Sequence, residues 1–278
     1  MITTLHPAMR LRELETRARR RFGQNFLVSD DLADTIVLRA GVRPGDRVLE
    51  IGPGLGVLTA ALSRAGATIV AIELDRDLAA ALPEIVPTVE LIQGDALRVP
   101  LPAVNRVVAN LPYNVATPLC LRLLGLRVPM ALMFQREVAD RIEADSGSRI
   151  YGSLSVQIQA RARVERLVSL PPGAFHPAPK VHSAVVGFRP IEAPDFGGAT
   201  PEAFDRLVRL GFSARRKTLT NAFGSQLGRE AAISLCSAAG VDPGARAEQV
   251  NLAGWRRLAA AAEEAAALAA IVDTVEGD

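Results

Sequence analysis

Two short segments hold most of the chemistry that can be read from these 278 residues: Asn110-Leu111-Pro112-Tyr113-Asn114 and Glu50-Ile51-Gly52-Pro53-Gly54-Leu55-Gly56. The first follows an apolar run with the character of a strand. Pro112 breaks strand pairing and Asn110 needs hydrogen-bond partners, so the segment suits a buried core poorly and aims polar groups at something beyond the strand end. The second segment stands at a strand-to-helix turn, where glycines let the backbone approach a ligand and the helix N-terminus offers free N–H groups. Glu73, 21 residues beyond Gly52 at the end of the next strand, is placed to grip ribose hydroxyls. Val57 stands where a dinucleotide site wants glycine or alanine, and Gly56 comes one residue early. Together they favour a nucleoside without a pyrophosphate, with a structural turn or another nucleotide site as the competing reading. Asp95, in Gly94-Asp95-Ala96 at a third strand end, suits an adenine amino group or a helix cap.

Metal and thiol chemistry find little support. Cys120 and Cys236 lie 116 residues apart in apolar surroundings and read as two buried thiols in a reducing compartment. His6, His176 and His182 show no ligand spacing with them, so no metal is expected, and no Ser/His/Asp or Cys/His nucleophile arrangement is evident.

The elements that must position these residues alternate. Ser29 caps a helix running to about Ala40, and Gly41 stops it. Short apolar runs at Arg47–Ile51, Ile69–Ile72, Val89–Ile92, Val104–Ala109 and Met130–Phe134 read as strands. Between them lie helical patterns at Leu55–Ala65, Asp77–Leu82 and Pro118–Leu124, the last with Thr117 as its N-cap. Further strands are expected at Arg163–Leu170 and Val181–Phe188. Strands spaced by helical crossovers predict an α/β fold with a doubly wound parallel sheet, whose ligands sit beyond the strand C-termini. The stretch Pro190–Pro201 has a linker's composition, and beyond it the pattern is helical only, ending in the alanine-rich run Leu258–Val272. The expected organisation is a basic segment over 1–28, a catalytic domain over 29–192 and a small all-helical domain over 193–278.

Composition sets the outer bounds. A 49% hydrophobic chain with 32 Lys and Arg against 30 Asp and Glu is a globular protein, not a disordered or collagen-like one. No apolar stretch reaches a membrane span and the N-terminus lacks a signal core, so the chain is expected to be cytoplasmic, with no membrane partner. A formal net charge of +2 looks weak for a nucleic-acid binder, yet the first 30 residues hold six Arg against three acidic residues. Arg17, Arg19, Arg20 and Arg21, with Arg215, Arg216 and Lys217, offer phosphate contacts, or form solvated faces.

Seven motifs, in order, resemble one family. Arg21-Phe22-Gly23-Gln24-Asn25-Phe26-Leu27, the Glu50 to Gly56 loop, Glu73, Asp95, Asn110 to Asn114, Phe175-His176-Pro177-Ala178-Pro179-Lys180-Val181 and Arg215-Arg216-Lys217-Thr218-Leu219 together look like the ribosomal RNA adenine N6,N6-dimethyltransferases. The segment Arg246-Ala247-Glu248-Gln249 is most similar to the bacterial small-subunit (16S) branch, the kasugamycin-sensitivity methyltransferases. The resemblance implies a Rossmann-like class I methyltransferase domain and S-adenosylmethionine as cofactor. Asn25, Leu27, Gly52 and Gly54 would contact that cofactor, Glu73 its ribose, Asp95 its adenine amine, and Asn110 would stand between cofactor and target. Two positions depart from the pattern: Ser153 replaces a usual arginine after Tyr151-Gly152, and His182 a usual aspartate.

The implied reaction is dimethylation of N6 of two adjacent adenosines near the 3′ end of 16S rRNA, with the small ribosomal subunit as partner and no obligate protein partner evident. An exocyclic amine is a poor nucleophile because its lone pair is delocalised, so acceptors must favour its pyramidal form. The Asn110 side-chain oxygen and the Leu111 carbonyl would accept its two hydrogens, leaving positioning and electrostatics to do most of the work. An extruded base needs flat surfaces. Tyr113 would supply one and, by the family likeness, Phe175 the other, although Phe175 by itself also fits a core aromatic. The competing functions are a large-subunit rRNA adenine methyltransferase and an RNA-binding assembly factor with incidental catalysis.

Overall fold

The computed structural model describes residues 6–14, 18, 23–214 and 216–275, the last nine of these as backbone alone. The chain runs α1 (Pro7–Glu13), β1 (Phe26–Leu27), α2 (Asp30–Arg39), β2 (Arg47–Ile51), α3 (Val57–Arg64), β3 (Thr68–Glu73), α4 (Arg76–Ile85), β4 (Glu90–Gln93) and β5 (Arg106–Asn110). It continues with α5 (Ala116–Leu123), β6 (Met130–Gln135), α6 (Arg136–Glu143), α7 (Ser153–Gln159), β7 (Ala162–Leu170), β8 (Phe175–His176) and β9 (Ser183–Pro190). Helices α8 (Pro201–Gly211), α9 (Leu219–Leu227), α10 (Arg229–Ala238) and α11 (Leu252–Val275) follow. Two compact units result, one comprising the residues up to Ala139 with Arg163–Pro190, the other Asp140–Ala162 with Ile191 onward.

The first unit is built on a seven-stranded sheet ordered β4-β3-β2-β5-β6-β9-β7. Strands β4 to β6 pair in parallel, and β9 joins β6 antiparallel with Gln135 opposite Ser183. The chain leaves β2 toward β3 on one side and returns to β5 on the other, which makes the C-terminal ends of β2 and β5 the switch point where such sheets bind ligands. The strands are apolar because both faces are covered; Val48, Leu49, Val70, Val107 and Leu132 are fully buried. Helix α2 starts where Ser29 accepts from the Leu32 N–H at 3.3 Å, with Asp30 and Asp31 favourably placed in its first turn.

Helix α5 starts two residues earlier than Thr117-Pro118 suggests, with Val115 as its cap. Pro118 then sits within the first turn, where a helix has no use for an N–H. The two-residue ribbon β1–β8, which pairs Phe26 with His176 and Leu27 with Phe175, has no counterpart in the strand expectations above.

The helical unit closes around Trp255, Phe204, Phe223, Leu258 and Cys236. Its extent differs from the 193–278 expectation, because Tyr151, Val156 and Ala160 bury in this core and draw 140–162 into it. The stretch read as a linker also contributes: Phe196 is buried against Phe204, ring centroids 5.4 Å apart, with the Arg161 guanidinium 4.9 Å from the Phe196 centroid. Helix α8 begins as its sequence requires, with Thr200 accepting from the Ala203 N–H and Pro201 in first position. Cys120 and Cys236 are both buried free thiols. Among the described residues, no helix is long and apolar enough to cross a membrane.

Candidate active site

A cavity of about 220 Å³ opens at the sheet's switch point, lined by Gly23 to Leu27, the Glu50 to Leu55 turn, Glu73, Asp95 and Asn110 to Asn114. All seven residues expected to hold a cofactor (Asn25, Leu27, Gly52, Gly54, Glu73, Asp95 and Asn110) line this one space, as do Leu111, Pro112 and Tyr113. Two of the glycines around it are required by geometry. Gly54 has φ 59°, and a Cβ there would lie 2.8 Å from the Phe26 ring. Gly23 has φ 63°, and a Cβ there would lie 2.9 Å from Asn114 Oδ1. The segment 23–27 therefore packs closely over both functional turns, and a larger residue at either position would lift it away.

The carboxylates of the cavity differ in their tasks. Glu73 accepts from the Gly54 N–H at 3.1 Å and the Asp75 N–H at 2.8 Å, which fixes its side chain while leaving lone pairs for a ligand. Burial pushes its carboxyl above the ordinary range, and those two N–H groups oppose the shift. Glu50 is 1% exposed. Burial pushes it up to about 8, with the Thr59 hydroxyl opposing and the Glu73 charge adding to the rise. Its Oε2 has no hydrogen-bond partner among the described residues. A buried carboxyl left in that condition is a ready acceptor for a cationic ligand group.

Asp95 takes the capping role that the sequence allowed and stands at the cavity. Oδ1 caps the turn by accepting from the Leu97 N–H at 2.9 Å, and the residue also lines the cavity. Arg122 of α5 holds that turn from behind, donating to the Ala96 carbonyl and, at 2.7 Å, to the Val99 carbonyl. No sequence argument had singled out Arg122, since its partners are backbone atoms 23 and 26 residues away.

At the end of β5 the Asn110 Nδ2 donates to the Asn25 carbonyl at 2.9 Å. The carboxamide's donor is thereby committed and its oxygen remains available as an acceptor. Leu111 is 1% exposed, and the Val115 N–H donates to the Pro112 carbonyl at 3.1 Å, which fixes the turn that presents Tyr113. The Tyr113 hydroxyl lies 2.7 Å from Ser183 Oγ at the start of β9. Burial raises the Tyr113 phenol, with the Ser183 bond opposing.

Phe175 is placed otherwise. It is 3% exposed, packed with Leu27, Leu170, Ala174 and Val185, and absent from the cavity wall, so the structure does not bring it together with Tyr113. Pairing with β1 turns its side chain into the core, the reading that its residue type alone had also allowed.

The basic residues divide. Arg216 and Lys217 are exposed in the helical unit, and the backbone bridge between Thr218 and Arg246 sets exposed Arg246 beside them. Arg17, Arg19, Arg20, Arg21 and Arg215 lie outside the described residues. Of the two departures, Ser153 Oγ accepts from Gln157 at 2.6 Å, whereas His182 is exposed and anchors β9 through its carbonyl, 2.9 Å from the Arg136 N–H.

Comparison with known proteins decides the family. Residues 15–264 match the model of the ribosomal RNA adenine dimethylases. The chain belongs to that family. Within it, Ribosomal RNA small subunit methyltransferase A of Thermosynechococcus vestitus is 43% identical over 255 residues, covering 87% of this chain and 96% of that one. The same-named protein of Pseudomonas fluorescens is 42% identical over 259 residues, covering 89% and 94%. Among solved structures, a dimethyladenosine transferase from Plasmodium falciparum superposes with a TM-score of 0.73 at 25% identity, covering 84% of this chain and 95% of that one. The 23S rRNA methyltransferase ErmE follows with a TM-score of 0.65 at 26% identity, covering 85% and 99%. The dimethylase fold therefore accounts for the mostly parallel sheet, the cavity at its switch point and the helical C-terminal region.

Proposed function

We propose that this chain dimethylates N6 of two adjacent adenosines near the 3′ end of 16S rRNA, in the cytoplasm, as a step of small-subunit maturation. The observation that carries the reading is the Asn110 carboxamide, whose donor is tied to Asn25 and whose acceptor faces no competitor among the described residues. The names of the relatives at 41–43% identity favour the small subunit over the 23S substrate of ErmE.

S-adenosylmethionine fits the cavity's chemistry. An ammonium brought beside the unpartnered Glu50 carboxyl would favour its ionised form and pair with it, Glu73 keeps lone pairs for ribose hydroxyls, and Asp95 stands at the third strand end for an adenine amine. When bound, this cofactor supplies a sulfonium methyl for in-line displacement. The chain's own contribution is orientation. Asn110 Oδ1 and the Leu111 carbonyl accept the two N6 hydrogens, which localises the nitrogen lone pair, and Tyr113 stacks on the extruded base. After one transfer a single N–H remains, enough for one acceptor to hold the amine for a second. The amine proton becomes acidic once the nitrogen is alkylated, so no strong base is needed. The second stacking face proposed for Phe175 requires that ring to leave its packing against Leu27 and Val185.

Purified protein given labelled cofactor is expected to methylate unmodified small-subunit particles, with the label mapping to two neighbouring adenosines. Asn110→Ala should lower turnover by about 100-fold or more, since it removes a preorganised acceptor at the reacting amine. Labelling of large-subunit RNA alone would move the assignment to that substrate. An Asn110→Ala protein that restored subunit assembly in full, beside a wild type without turnover, would make the protein an assembly factor.

A further inference from the structure

Tyr113 is held at both ends of its side chain. Its backbone is fixed by the Pro112 turn, and its hydroxyl meets Ser183 Oγ at 2.7 Å. Ser183 is 1% exposed, lies opposite Gln135 in the β6–β9 ladder, and adjoins the His182 carbonyl that accepts from the Arg136 N–H. The serine is thus a rigid post. Tyr113 is its hydrogen-bond partner, and a buried hydroxyl left without one is unfavourable, so the post and the ring constrain each other. Rotation of the ring away from this position would break the bond and strand the serine.

We propose that Ser183 is a positioning residue for methyl transfer: its buried hydroxyl holds the Tyr113 ring in the place where the target adenine stacks. The inference rests on the reading of Tyr113 as the stacking surface. Its consequence is greatest for the second methyl. A monomethylated amine has one N–H left, so one acceptor bond is gone and the stacking plane must provide more of the orientation. Loss of the Ser183 bond should therefore slow the second transfer more than the first.

The test compares wild type, Ser183→Ala, Tyr113→Phe, the double variant and Tyr113→Ala on unmodified small-subunit particles. Single-turnover rates of each transfer are followed through the mono- and dimethyladenosine content of the digested RNA. Losing one hydrogen bond of ordinary strength corresponds to a fall of roughly five- to tenfold in the second rate. Ser183→Ala and Tyr113→Phe should both show that fall and accumulate monomethyladenosine, with KM for cofactor and particle within about twofold. The double variant should be no worse than either single.

A wild-type product ratio in Tyr113→Phe, or an additive double variant, would overturn the inference. Tyr113→Phe keeps the ring and removes the bond from the other side, so the question stays decidable if Ser183→Ala folds poorly. If Tyr113→Ala loses transfer while Tyr113→Phe behaves as wild type, only the role of Ser183 falls. If Tyr113→Ala transfers at the wild-type rate, the stacking reading falls as well.

Discussion

Glu50 occupies an unusual position for an acidic residue, fully buried at the end of β2 beside a second buried carboxyl, Glu73, with one oxygen unpartnered. Its folded-state value of about 8 lies well above that of the unfolded chain, so the folded protein retains a proton that the unfolded protein releases. The sign follows from linkage. Stability from this group is complete below the ordinary carboxylate range and is lost as pH rises through about 8, by at most about 1.4 kcal/mol for each pH unit between. Glu73, shifted in the same direction by burial, adds to that trend. The free protein should therefore melt at a lower temperature at pH 8 than at pH 6, and Glu50→Gln should flatten the dependence and be the more stable form at pH 8. Parallel melting-temperature profiles for the two proteins would remove the buried charge from the account. The sequence showed an acidic residue ending an apolar strand but not that it would lack a partner, which depends on side chains arriving from β3 and α3. Phe175 illustrates the same limit: an aromatic in a proline-bounded loop suits a stack or a core, and only its pairing with β1 decides.

At the scale of elements, spacing was enough to locate β2 to β6 and hence the strand ends that carry Glu50, Glu73 and Asn110, because short apolar runs between helical patterns leave few alternatives. Two-residue strands escape such reasoning. The β1–β8 ribbon is held by partners about 150 positions away in the chain, and no local pattern encodes that distance. The boundary of the helical unit escaped for a related reason, since the apolar residues of α7 state that it is buried but not which core receives it. Arg122 belongs with these long-range features. Its two bonds from α5 tie down the turn that offers Asp95, so Arg122→Ala should loosen that turn without touching the reacting amine. We expect roughly a five- to tenfold weaker affinity for S-adenosylmethionine by titration calorimetry, from two lost bonds of about 1 kcal/mol each partly replaced by water, with kcat at saturating cofactor nearly unchanged. An unchanged affinity would mean that the turn holds its shape alone.

For the whole molecule, 32 basic residues against 30 acidic ones give a net charge too small to draw the chain to polyanions in general. Recognition of RNA then has to come from local concentration of charge on a shaped surface. In the helical unit, exposed Arg216 and Lys217 precede Thr218, whose bridge to Arg246 adds a third cation to the same patch. The patch stands on rigid backbone: α9 is capped by Thr218, and the Leu219 N–H donates to the Ala245 carbonyl at 2.8 Å. If these cations meet phosphates, each should release about one counterion on binding, and affinity for small-subunit RNA should fall steeply with salt. Replacing Arg216 and Lys217 by Ala should reduce the slope of log affinity against log salt by about 1.5 to 2, and weaken binding at low salt more than at high salt. The same pair of changes should leave cofactor affinity alone, because neither residue lines the cavity. A slope equal to that of the wild type, measured across a salt titration with unmodified particles, would make this patch a solvated surface and shift RNA recognition to other arginines.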